Sequence, residues 1–373
     1  MADYTTIDDP SAHFQTIMWV GNGSADQTKT WGGNSDLQAD LLWGKCASED
    51  TPHYLNDTSR GITVNMHPNT TNIDATDSNV FTSVSTNSFV VGSDADINGS
   101  SRENIVWGWK ANGGTTSSNT DGDLTTTVQV NSTAKFSIFT YTGIDPIEPL
   151  DIGHGLGAVP EFWFIKSRSI SGKNWGLYHK DMAATPQNNY IRINSTNGVA
   201  AASTWWRNEA PTSTIIKTGE QDDLNRANAT FVGYAWIGVQ GFSKFGGYTG
   251  NGHDDGPFIY LGFTPSLVII KRTDSAGNWI MHSFDQGTNS STGVGAGNNW
   301  NLNNNALEAN DGDSQNQYGD IDMVSNGFKI RKETNAFGAT DENDSGGTYI
   351  YAAFAHNPFV TSTNTNSIPT TAQ

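Results

Sequence analysis

The chain repeats one ordered set of β-forming words three times, and no other feature constrains its fold as strongly. An aromatic segment closing on a Gly turn opens each copy: Trp19-Val20-Gly21, Tyr141-Thr142-Gly143 and Tyr248-Thr249-Gly250. An apolar segment ending in Lys follows, as Leu41-Leu42-Trp43-Gly44-Lys45, Phe162-Trp163-Phe164-Ile165-Lys166 and Leu267-Val268-Ile269-Ile270-Lys271. A late segment comes next: Phe89-Val90-Val91-Gly92, Ile215-Ile216-Lys217-Thr218-Gly219 and Gly327-Phe328-Lys329-Ile330. Each copy closes on an aromatic strand, Ile105–Trp109, Phe231–Trp236 or Tyr349–Phe354. Four anchors in the same order in three copies argue against chance. Asn174-Trp175 and Asn278-Trp279 extend the match between the second and third copies. His53, His179 and His282 follow the Lys at comparable offsets, which predicts one packing or hydrogen-bonding job done three times.

Composition identifies the words as strands. The chain holds 42 Thr, 38 Asn, 40 Gly, 12 Trp and 17 Phe, and no long amphipathic helix is readable. Thr and aromatics fit pleated surfaces, whereas Asn and Gly fit tight turns. Alternating stretches such as Phe136–Tyr141 and continuous apolar runs such as Leu267–Ile270 are separated by turn clusters. The expected fold is all-β, with three tandem related antiparallel β-sandwich-like units and little helix. The expected organisation is an N-terminal arm (1–13), units at 14–112, 113–245 and 246–359, and a flexible tail (360–373). Gly113-Gly114 and Ser117-Ser118 suggest a flexible linker over 111–120; the 241–246 junction is short. The polar opening segment reads either as an arm for a neighbouring subunit or as a disordered leader.

Charge removes several function classes. A net charge of -18 argues against general nucleic-acid or anionic-membrane binding, which need clustered Lys and Arg. A single cysteine, Cys46, excludes an intrachain disulfide and any Cys-based zinc cage. No run of 18 apolar residues exists, and the N-terminus lacks the pattern of a secretory signal.

Candidate chemistry is sparse. Asp94, Asp96 and Asn98 before Gly99 match the first half of a calcium loop, yet Ile105 stands where a bidentate acid is required. Calcium is the one cofactor they suggest, and a solvated turn competes with it. Asp121-Gly122-Asp123, Asp311-Gly312-Asp313 and Asp341–Asp344 carry the same two readings. Trp205 and Trp206, followed by Arg207-Asn208-Glu209, could stack on sugar rings; strand alternation would instead turn one of them into the core. Glu161 has no identifiable acid partner for glycoside hydrolysis, and His154 sits in a glycine turn. Gly293–Gly297 lacks the strand-turn-helix context of a nucleotide site. No catalytic residue is assigned.

Several phrases carry a resemblance. The opening MADYTTIDDPSAHFQT, the string Ile152–Pro160, Gly241–Gly250 and Gly346–Ala355 resemble virion-associated tail-fibre-like or capsid-appendage proteins of marine tailed phages. The resemblance implies a non-enzymatic structural protein located on the virion and assembled in multiple copies, as a homo-oligomer. It implies other virion proteins as partners, through residues 1–13, and a host-surface glycan or protein as the target of displayed loops. A purely architectural capsid decoration and a polysaccharide-degrading spike enzyme remain as alternatives.

Overall fold

The computed structural model describes residues 5–144, 149–288, 302–331 and 342–359. The glycine run at 293–297, Asp341 and the expected tail at 360–373 lie outside them. The fold is all-β, and helix among the described residues is limited to short segments such as Ala95–Asn98 and Ser203–Trp206.

Each of the three sequence copies builds the same antiparallel core of five strands. In unit 1 the order is Phe14–Val20, Glu103–Trp109, Leu41–Cys46, Tyr54–Asp57 and Val64–Met66. In unit 2 it is Phe136–Thr142, Thr230–Trp236, Phe162–Ser167, Gly176–His179 and Asn189–Arg192. In unit 3 it is Ser243–Thr249, Thr348–Pro358, Phe263–Arg272, Trp279–Ser283 and Leu302–Glu308. The closing strand therefore inserts between the first two strands every time. A small second layer covers each sheet: Gln27–Thr30, Ser88–Val91 and Phe81–Ser85 in unit 1, and Leu150–Gly153 with Ile215–Thr218 in unit 2. In unit 3 Phe258–Tyr260 and Gly327–Ile330 take this place, joined to the main sheet through Asn316–Val324.

The two faces of each main sheet explain why its central strand reads as an unbroken apolar run. Leu42 and Val106 pack outward against Phe81 and Phe89, and Val268 and Ala353 pack outward against Ile259 and Phe328. The intervening residues Leu41, Trp43, Phe162, Phe164, Leu267 and Ile269 face inward and join one core shared by all three units. A strand buried on both faces needs no polar alternation.

At the centre of that core three register-equivalent residues meet. Trp109, Trp236 and Phe354 stand opposite Leu41, Phe162 and Leu267. Their ring centroids lie 6.2, 5.3 and 6.2 Å apart around the triangle, and Phe14 and Phe136 pack beside them. The three units thus form one body about a pseudo-threefold axis.

Two expectations about the connections are corrected. The 111–120 segment is pinned at its start, because Asp40 accepts backbone N–H groups of Ala111, Gly113 and Gly114 at 2.7–2.9 Å. Gln129 Oε1 accepts from Asn112 and Gly114 at 3.1 and 2.9 Å. The glycines serve that wrapping, since Gly113 and Gly114 have φ of 61° and 80°. The described part of the opening segment is neither a free arm nor a disordered leader. Asp9 caps the 3-10 turn Pro10–Ala12, Ile7 and Thr5 are buried, and the Thr6 N–H donates to Gln240 O at 3.0 Å. Gly241, at φ 83°, permits this contact, because a Cβ there would strike Thr5.

Candidate functional site

The polar chemistry of the interior is concentrated where units meet, and the same bonds recur at each joint. Register makes His67, Arg192 and Glu308 equivalent, at the end of the fourth strand or just past it. The carbonyl of each accepts a ring N–H from the next unit in the cycle: Trp175 Nε1 at 3.0 Å, Trp279 Nε1 at 2.9 Å, and His53 Nε2 at 3.0 Å. Four residues further on, the carbonyls of Thr71, Thr196 and Gly312 accept from the backbone of Gly172, Gly277 and Thr51. One more set runs from the N–H groups of Asp74, Val199 and Gln315 to the carbonyls of Arg168, Thr273 and Ala47. Unit 1 engages unit 2, unit 2 engages unit 3, and unit 3 returns to unit 1. A head-to-tail contact repeated by rotation either propagates or closes. Here it closes after three steps inside one chain.

The repeated lysines belong to these joints. Lys45, Lys166 and Lys271 are fully buried. Lys166 Nζ donates to Thr71 O of unit 1 at 3.3 Å, and Lys271 Nζ to Thr196 O of unit 2 at 2.9 Å. Lys45 Nζ donates to Cys46 O and Glu49 O at 2.6 and 2.9 Å. Burial lowers Lys45 and Lys166 to about 8. Carbonyl clusters, not carboxylates, satisfy their donors, which is how an ammonium is kept inside a fold.

The three histidines do not share one job. Register places His53 opposite no histidine: its equivalents are Trp175 and Trp279, four residues before Asp57, His179 and Ser283. His179 is equivalent to Asp57 and Ser283, and His282 to Asn56 and Tyr178. Similar offsets along the chain concealed loops of different length. His53 replaces a tryptophan and performs the same ring-to-carbonyl bond. At the second position the side chain reaches the closing strand of the following unit. Asp57 accepts from Tyr234 OH at 2.7 Å, His179 Nε2 donates to Tyr351 O at 3.1 Å, and Ser283 accepts from Trp107 Nε1 at 3.3 Å. Burial lowers His179 to about 3 and His53 well below its ordinary value.

The other sequence candidates are also structural. Asp94 caps the short helix Ala95–Asn98 by accepting from the Asp96 N–H at 2.8 Å. Asn98 is buried and donates to Gly92 O and Ser24 O, so its amide is turned away from any shared ion. Among the described residues no cluster of three His, Cys, Asp or Glu side chains has the spacing to hold a metal. Trp205 and Trp206 are 2% and 1% exposed, because the segment forms a helical turn, not a strand. Trp205 stacks on Tyr190 at 4.4 Å, and Trp206 meets Trp163 at 5.3 Å. Neither offers a face to a sugar. Among the described residues, Phe258 and Tyr260 on the outer strand of unit 3 are exposed large aromatics, and their alternation about buried Ile259 is legible in the sequence. Glu161 pairs with Lys180 at 3.0 Å. His154 is buried, lowered to about 4 by that burial, and bonds Thr212 O and the Leu156 N–H.

One joint differs in how it is filled. The residue preceding Leu41, Phe162 and Leu267 is Asp40 in unit 1, Glu161 in unit 2 and Ser266 in unit 3, the last inside its strand. At register-equivalent positions in the first strand of the following unit stand Ile138, Phe245 and Thr16. Asp40, Ile138 and Gln129 fill the joint of units 1 and 2; Glu161 and Phe245, the latter stacked on Phe162 at 5.3 Å, fill that of units 2 and 3. Ser266 and Thr16 are the smallest pair, and beside them lies a cavity of about 360 Å³. Thr16 bonds Ser266 Oγ at 3.2 Å and donates to Asp285 Oδ2. Burial pushes the Asp285 carboxyl up, against the Thr16 hydroxyl and His356. Gln15 shapes one wall by accepting from the Gly33 N–H at 2.8 Å and donating to Ser11 O and Ser35 O. Gly33 is required there, since a Cβ would lie 2.5 Å from Ser11 Cβ. No sequence signal announced this cleft, because it depends on two small residues 250 positions apart.

No curated protein and no solved structure matches the chain. A family described as a domain of unknown function (DUF7483) matches residues 9–358, nearly the whole of the described fold, and the chain belongs to that family.

Proposed function

We propose that this chain is a non-enzymatic structural protein of a phage virion, of tail-fibre or appendage type, displaying loops for recognition of a host surface. The observation that carries the reading is the closure of the ring. Three units bound head to tail by the same backbone bonds leave no unit without a neighbour on either side, and the repeated Lys, His and Trp side chains bond within and across the joints. Such a body is a rigid scaffold with loops on its rim, and function on rigid scaffolds is carried by loops. The acidic surface keeps many copies soluble at high local concentration. The phrases that resemble virion appendage proteins of marine tailed phages support the same reading.

A cryo-EM map of the intact virion tests it. Density for the ring at the distal end of a tail or fibre is the expected result. Density on the capsid shell would replace recognition by decoration. Absence from the particle would overturn the reading. Release of oligosaccharides from host polysaccharide by the purified chain would favour a degrading enzyme instead.

A further inference from the structure

We propose that the cleft between units 3 and 1 is a binding site for a neutral polyhydroxylated ligand the size of one sugar ring, held by Asp285, Thr16, Ser266 and Asn34. The inference deepens the recognition reading by naming a ligand class and a place. It rests on that reading only for the source of the sugar.

The strongest argument is internal to the molecule. Three joints are built on one backbone plan, and two of them are closed by the chain's own side chains. Asp40 and Gln129 take up backbone donors in the first, and Phe245, stacked on Phe162, occupies the second. In the third, Thr16 stands where Ile138 and Phe245 stand, and Ser266 where Asp40 and Glu161 stand. Truncation on both sides of a single joint leaves about 360 Å³. That is at the low end of volumes that hold small ligands, roughly 300–1,000 Å³.

The lining selects the ligand class. The described lining contains one carboxylate and no Lys or Arg, so an anion meets the Asp285 carboxylate without a strong cation to offset it, and a divalent cation lacks a second acid. Hydroxyls of Thr16 and Ser266 and the amides of Asn34 and Asn357 both donate and accept. Asp285 accepts. Phe14 and His356 supply ring surface. Hydroxyl-rich molecules match such a mixture, since each hydroxyl is both donor and acceptor. Asn34 is exposed at the rim, so a sugar at the end of a longer chain could enter without the chain being buried.

The test uses the purified full chain with D-glucose, D-galactose, D-mannose, N-acetyl-D-glucosamine and D-glucosamine, each up to roughly 50 mM, a range suited to weak single-site binding. Saturation-transfer NMR is expected to show binding of at least one neutral sugar. Asp285→Asn and the rim plug Asn34→Trp should each weaken it at least about tenfold, while Asp181→Asn, at the equivalent position of the second joint, leaves it unchanged. Because Asn34 is exposed, N34W reports on the cleft even if D285N compromises folding. Failure of every neutral sugar to bind, or binding indifferent to both variants, would overturn the proposal. Binding of glucosamine alone would overturn the neutral class in favour of an amine paired with Asp285. Failure here with the chain located on the virion removes the cleft only. Sugar binding by a chain absent from the virion removes the virion reading only.

Discussion

The joint between units 1 and 2 and the joint between units 3 and 1 share a backbone plan and differ in nearly every side chain. At the first, Asp57 forms an ion pair with Arg60 at 2.5 Å, both side chains fully buried, and accepts from Tyr234. At the second, the equivalent Ser283 accepts from Trp107 Nε1 and donates to Ser266 O, both neutral bonds. Asp40 and Gln129 seal the first, whereas Ser266 and Thr16 leave the second open. The carbonyl and N–H bonds that hold the units together depend on strand register, so they survive changes of side chain. Side chains at the joints are then free to diverge, and one joint can give up packing for a cleft.

The largest expected effect breaks the contrast at its most charged point. Asp57→Ala leaves Arg60 buried without its partner and Tyr234 without an acceptor, which costs about 3–5 kcal/mol. Ser283→Ala at the equivalent position removes only neutral bonds, those from Trp107 Nε1 and to Ser266 O, costing about 1–2 kcal/mol. Urea unfolding of the two variants should separate them clearly; equal losses would mean the joints are energetically alike. Trp109→Ala tests the shared axis instead. A cavity at the meeting point of three sheets should cost about 3–5 kcal/mol and destabilise all three units together. A biphasic transition would show that the units fold separately.

Acid should distinguish the remaining joint. His179, lowered to about 3, is neutral in the fold, while in the unfolded chain it takes a proton near its ordinary 6.5. The unfolded state therefore binds more protons between those values. This stabilisation is complete above pH 6.5 and declines as pH falls toward 3. Between pH 7 and 4.5 the loss from His179 is about 3 kcal/mol. Hydrogen exchange in Gly176–His179 and the facing strand Thr348–Pro358 should accelerate over this range, and His179→Gln should remove this part of the dependence and leave the part set by His53 at the joint of units 3 and 1. Asp40→Ala gives a smaller and more local effect. The 111–120 segment should resist limited proteolysis in the wild type and become a primary cut site in the variant. Thr16→Ile copies Ile138 into the open joint but takes the hydroxyl donor from Asp285, and should cost about 1–2 kcal/mol.

Much of the architecture was readable because repetition of strand words is a property of the chain alone. The continuous apolar runs marked strands buried on both faces, and the steps between Lys45, Lys166 and Lys271 kept true register. The site residues were not readable in the same way. Trp205-Trp206 looked like a platform only while the segment was taken as a strand; a helical turn buried both rings. Asp94–Asn98 looked like a calcium loop because a helix cap and a metal loop use the same oxygen-bearing residues at the same short spacing.

The sequence by itself determined the all-β class, the threefold repetition and the strands that form each sheet, since local pattern and turn chemistry act over a few residues. Only the tertiary structure decided that the units close into a ring and which repeated residues are equivalent. It also decided that two small side chains from opposite ends of the chain leave a cleft between them. Those outcomes depend on register and on contacts between residues 100 to 250 positions apart, and no local pattern records them.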